Sequence, residues 1–138
     1  MTADKLTPQD RSALMSRIRS RDTKPEMAVR RLLHGLGYRY VLHDARLPGK
    51  PDLVFPSRRK VVFVHGCFWH GHDCGRGFRP ANNAEFWAAK IDGNRARDRR
   101  QVRAIRAEGW KVLTVWECAV RSQRMTALER RLVGFLES

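Results

Sequence analysis

The segment Val61-Val62-Phe63-Val64-His65-Gly66-Cys67-Phe68-Trp69-His70-Gly71-His72-Asp73-Cys74-Gly75 decides the reading of this chain. Its first four residues form a near-continuous apolar run. A half-exposed strand would alternate, so this run predicts a strand covered on both faces. The chain then switches to glycine, histidine, cysteine and aromatics, a composition that predicts a loop over 66–83.

Upstream, Pro56-Ser57-Arg58-Arg59 turns the chain between this strand and another at Asp52-Leu53-Val54-Phe55. Pro48-Gly49 marks a turn before it, and Tyr38 to His43 predicts the first strand. A helix precedes the strands. Thr23 is its predicted cap, Pro25 suits its first turn, and Glu26 completes a capping box. Val29, Leu32, Leu33 and Leu36 share one face, and Gly35 and Gly37 end the helix. Leu6 to Arg21 predicts a basic helix or arm with a thin apolar face.

Downstream, Ala84 to Glu108 predicts a long helix that Gly93 interrupts or kinks, and Gly109 stops it. Lys111 to Trp116 predicts the fourth strand. Leu128, Leu132, Phe135 and Leu136 mark a closing helix. The fold class is therefore α/β, a mixed sheet flanked by helices. The expected division is a basic arm at 1–22 and one domain at 23–138.

The 138 residues carry 28 Lys and Arg against 14 Asp and Glu, a net charge of +14. Such a surplus, dominated by arginine, calls for a polyanion, with nucleic acid favoured. No apolar run approaches the roughly 20 residues that span a bilayer, and the first residues lack a signal-peptide core. A cytoplasmic protein with no membrane partner is expected. Three cysteines do not make a secreted disulfide framework.

Several residues carry chemistry. Asp52 opens one strand and His65 ends its hairpin partner, so the two can converge on one divalent metal. A Pro-Asp turn is also common without function. Cys67, Cys74 and one of the loop histidines supply three zinc ligands, and Cys118 can supply the fourth; otherwise Cys118 is buried core. Phe68 and Trp69 are bulky aromatics in a polar loop, suited to wedging between base pairs. For Trp87, core packing competes with the same role. Asp98 shares a helix stripe with Ile91, Val102 and Ile105. An acid there needs a partner, either a histidine that it orients or one of Arg95, Arg97, Arg99 and Arg100. The capping box already accounts for Glu26.

Arg21-Asp22-Thr23, Leu47-Pro48-Gly49-Lys50-Pro51-Asp52, His65 to His70, Glu85-Phe86-Trp87, Arg97-Asp98-Arg99-Arg100 and Val115-Trp116-Glu117-Cys118 together resemble the very short patch repair mismatch endonucleases. The likeness runs from about Leu14 to Leu136, nearly the whole chain. It implies a restriction-endonuclease-like fold in which Phe63-Val64-His65 replaces the usual acid and lysine. It further implies that Asp52 and the Val64 carbonyl hold Mg²⁺ and that His65 lies beside the scissile phosphate. His70 would act as general acid–base, positioned by Asp98 and Glu26. Cys67, His72, Cys74 and Cys118 would hold a structural zinc. Phe68, Trp69 and Trp87 would intercalate beside a T:G mismatch in double-stranded DNA, and the arm at 1–22 would grip the duplex. The implied task is a nick 5′ to the thymine left by deamination of 5-methylcytosine, one that a monomer can make, with or without helper repair proteins. A zinc-stabilised binding module and a nuclease for matched DNA remain the competing expectations.

Overall fold

The computed structural model describes residues 22–74 and 82–138. The arm at Leu6 to Arg21, and with it the division at 22, falls outside the described residues, as does the end of the aromatic loop.

Helix α1, Lys24–Gly35, starts at Thr23, whose Oγ1 accepts the Glu26 N–H at 3.3 Å. Glu26 returns a bond through Oε1, but to the N–H of Asp22 rather than that of the cap itself. Gly37 adopts φ +96° just beyond the helix, a left-handed end that a side chain resists. The predicted first strand shrinks to β1, Val41–Leu42. Its upstream tyrosines serve packing instead: Tyr38 and Tyr40 meet Phe55 edge to face at 6.5 and 5.9 Å. At the other end His43 turns to φ +47°, which ends the pairing.

Strands β2, Leu53–Phe55, and β3, Lys60–His65, follow, and every residue of both is buried. Burial on two faces is what the apolar run predicted. Helix α2, Ala84–Ala107, has 24 residues and runs without a break through Gly93. That glycine faces open space, and the helix ladder does not depend on its side chain. Strand β4, Lys111–Trp116, and helix α3, Met125–Leu136, complete the fold.

The sheet order is β1-β2-β3-β4, antiparallel except for the parallel β3–β4 pair. Alternation sorts its side chains into two cores. Leu53, Phe55, Val62, Val64 and Val115 pack with Val29 and Leu33 of α1 and with Leu128, Leu132 and Leu136 of α3. Val54, Val61 and Phe63 pack on the opposite face with Ile105 of α2. The result is a mixed sheet between helices, as expected. In the parallel pair His65 lies opposite Trp116, so both strands deliver their C-terminal ends to one place. No helix among the described residues is long and apolar enough to cross a membrane.

Candidate active site and metal centre

A cleft of about 520 Å³ opens there, between the start of α1, the entry to β2, the end of β3 and the flank of α2. Asp52 stands on one wall. Its Oδ2 accepts the Val64 N–H at 2.7 Å, a bond that fixes the carboxyl against β3. Burial raises the Asp52 pKa to about 7 against the bond from Val64, and the Glu26 carboxyl within hydrogen-bonding reach adds to the rise. Glu26 is itself only 1% exposed. His43 donates Nε2–H to Glu26 Oε2 at 2.8 Å and lies 3.9 Å from Asp52 Oδ1. Asp22, Glu26 and His43 have a metal-like spacing, but Arg30 already bridges the two acids at 2.8 and 3.3 Å.

The opposite wall holds His70, whose Nδ1 meets Asp98 Oδ2 at 2.5 Å. Burial alone would raise Asp98, but the bond from His70 and the charges around it hold the carboxyl below its usual range. An ionised carboxylate only accepts, so Nδ1 carries the hydrogen of this bond. His65 stacks on His70, with ring centroids 3.8 Å apart and planes 2° from parallel. Burial, reinforced by His70, pushes His65 down to about 3, so it stays neutral near pH 7. The partner of Asp98 is thus a histidine, with Arg97 further off at 3.8 Å. Glu26 is bonded to His43, not to His70.

Just beyond the cleft, Cys67, His72, Cys74 and Cys118 each offer one donor atom, all within 4.8 Å of one another. A tetrahedral zinc with bonds of about 2.0–2.3 Å requires donor separations of roughly 3.3–3.8 Å. Cys118 Sγ lies 3.6 Å from His72 Nδ1. The donor set therefore fits such an ion with small adjustment. Burial raises the Cys67 thiol to about 12, so that a cation must be present for it to become the thiolate a metal binds. His72 is selected from the loop histidines by its stacking on Trp116, at 4.2 Å and 12°. Gly71 makes this possible. A Cβ at that position would sit 2.6 Å from Arg95 and 2.7 Å from Ile91, so only glycine lets the loop lie on α2.

The three aromatics expected as wedges meet edge to face: Phe68 to Trp69 at 5.1 Å, Phe68 to Trp87 at 5.2 Å and Trp69 to Trp87 at 5.8 Å. Trp69 is buried, while Phe68 and Trp87 are half-buried. Phe86, packed on Trp87 at 5.0 Å, is the more exposed ring, at 42%.

A sequence profile described as DNA mismatch endonuclease Vsr matches residues 3–76. The chain belongs to the Vsr family. It is 53% identical to the type II nicking enzyme V.XorIIP of Xanthomonas oryzae pv. oryzae, with 97% of each chain covered. It is 46% identical to the DNA mismatch endonuclease Vsr of Escherichia coli over 88% of this chain and 80% of that one. The type II nicking enzyme V.NmeAIP of Neisseria meningitidis serogroup A is 43% identical over 87% and 86%. Vsr-family membership makes this protein a DNA endonuclease, a hydrolase.

The structure of this Vsr-family chain brings Asp52, His65, His70 and Asp98 to one cleft and Cys67, His72, Cys74 and Cys118 to one cluster, whereas the residue pattern alone leaves the loop histidine open. Sequence reasoning passed over His43. The only local signal was a histidine at the end of a predicted strand, and nothing in the pattern connected it to Glu26, 17 residues earlier.

Proposed function

We propose that the protein nicks double-stranded DNA at a T:G mismatch, 5′ to the mismatched thymine, by Mg²⁺-dependent hydrolysis of a phosphodiester. The observation that carries this reading is a His70–Asp98 pair and the half-buried carboxyl of Asp52 lining one cleft in a DNA endonuclease family. The names of the Escherichia coli relative and of the matching profile support the mismatch as substrate.

The residues divide the work. His70 Nε2 accepts a proton from the attacking water while Asp98 holds the ring and stabilises the imidazolium that forms. Stacked beside it, neutral His65 adds no opposing charge. Asp52 and the Val64 carbonyl are the oxygen donors that would hold Mg²⁺; two crowded carboxyls, Asp52 and the buried Glu26, fit a hard divalent cation. When bound, the ion neutralises charge on the phosphate as a Lewis acid. Cys67, His72, Cys74 and Cys118 would hold a structural zinc that fixes the loop carrying His70. Phe68, Trp69 and Trp87 would open the stack at the mismatch. A wobble pair unstacks more readily than a Watson–Crick pair, and the burial of Trp69 makes Phe68 and Trp87 the leading edges.

The test is a nicking assay on an end-labelled duplex with one T:G pair, beside matched T:A and C:G duplexes, with and without Mg²⁺. The expected result is one Mg²⁺-dependent nick beside the mismatched thymine, absent from both matched duplexes. Equal cutting of all three would remove the mismatch from the reading. Metal analysis should return about one zinc per chain; a metal-free, folded and active preparation would remove the zinc.

A further inference from the structure

The wall that holds Asp52 also contains a second carboxyl group, Glu26, and an imidazole, His43, that no role given above explains. Glu26 is almost fully buried, and its oxygens receive the Asp22 N–H at 3.0 Å, Arg30 at 3.3 Å and His43 Nε2 at 2.8 Å. His43 alone of these donors also faces Asp52, with 3.9 Å between Nε2 and Oδ1. It is tied to that residue a second time, because its backbone N–H donates to the Asp52 carbonyl at 3.2 Å. Its φ of +47° is unusual for a residue with a side chain. That conformation is held where the ring lines the cleft between α1 and β2.

We propose that His43 is a positioning residue for the nicking reaction: its Nε2–H holds Glu26 and its backbone N–H holds the Asp52 carbonyl, so that the two carboxyl groups stay side by side at the cleft. Without that donor Glu26, which is hydrogen-bonded to Asp52, loses this anchor, and Asp52 no longer presents a fixed oxygen. The ring need not touch DNA: it acts through Asp52 and Glu26, as partners of ligating groups commonly do. This inference rests on the reading of Asp52 as the carboxylate that holds the divalent ion.

The experiment compares wild type, His43→Ala and His43→Gln by two readouts. One is steady-state nicking of the T:G duplex, resolved into kcat and KM. The other is Mn²⁺ binding to the DNA-free protein, followed by electron paramagnetic resonance. His43→Ala is expected to lose roughly 10- to 100-fold in kcat and in Mn²⁺ affinity, with KM for DNA unchanged. His43→Gln, whose amide can donate to Glu26 from a similar reach, should recover most of both. The proposal is overturned if His43→Ala matches wild type, if only KM changes, or if a folded His43→Gln is as impaired as His43→Ala. Failure of the underlying reading looks different: wild type itself would then bind no Mn²⁺ at this site, or nick without a divalent ion.

Discussion

The two walls of the cleft are built from the same two side-chain types in opposite proportion. On one, Glu26 and Asp52 share a single imidazole, His43. On the other, His65 and His70 share a single carboxylate, Asp98. Burial penalises whichever charge lacks a partner, so it lifts Asp52 to about 7 and drops His65 to about 3. The carboxylate-rich wall is short of positive charge and suits a cation from solution. The histidine-rich wall is satisfied internally and suits proton transfer. Under the proposed reading, stoichiometry alone separates charge neutralisation from acid–base work within one cleft.

The largest expected effect comes from breaking the first wall. Asp52→Ala removes the oxygen donor, and the loss of several kcal/mol of transition-state stabilisation should lower nicking by about three orders of magnitude or more. DNA binding, measured by gel shift, should persist. On the second wall, His70→Ala is expected to cost about 10²- to 10⁴-fold in kcat, the usual range for a general acid–base. Asp98→Asn keeps the histidine but weakens its orientation, so a smaller loss of roughly 10- to 100-fold is expected. If Asp98→Asn costs more than Asp52→Ala, the division between the walls is wrong.

The smallest effect sharpens the comparison most. Stability against denaturant would be measured from pH 4 to 7 with zinc retained and magnesium omitted. His65 has a lowered pKa, so below about pH 6.5 the unfolded chain takes up a proton that the folded one refuses. Its contribution makes stability fall as pH drops from about 6.5 toward 3, by up to about 1.4 kcal/mol per pH unit, and His65→Gln should remove that slope. Asp52 has a raised pKa. Its protonated form favours the fold below the ordinary aspartate range, and that contribution disappears as pH rises through about 7. Asp52→Asn should therefore change the slope in the opposite sense. Equal signs for the two variants would show that the walls do not differ in charge as described.

What could be read in advance depended on whether the deciding forces were local. Strand β4 matches its predicted bounds, Lys111–Trp116, because an apolar run behind Gly109 needs no distant partner to be recognised. The companion of Asp98 was legible as a class, since an acid on a buried stripe requires one. Other features depended on tertiary contacts. The first strand shortened because Phe55 recruits the upstream tyrosines. Trp69 is buried because its loop folds back onto α2, which composition cannot reveal. His43 escaped notice because its partners lie 17 residues before it and 9 residues after it, on a helix and at the entry to a strand.

The parallel pairing of β3 with β4 has a consequence for biosynthesis. Cys67 leaves the ribosome some 50 residues before Cys118, which must lie beside it to complete the cluster with His72 and Cys74. Until that later strand emerges, β3 lacks a neighbour along one edge and the loop lacks its last sulfur. A nascent chain therefore carries His70 on an unfinished support. DNA-cutting competence should switch on late in translation, when Cys118 closes the cluster, and not grow gradually with chain length.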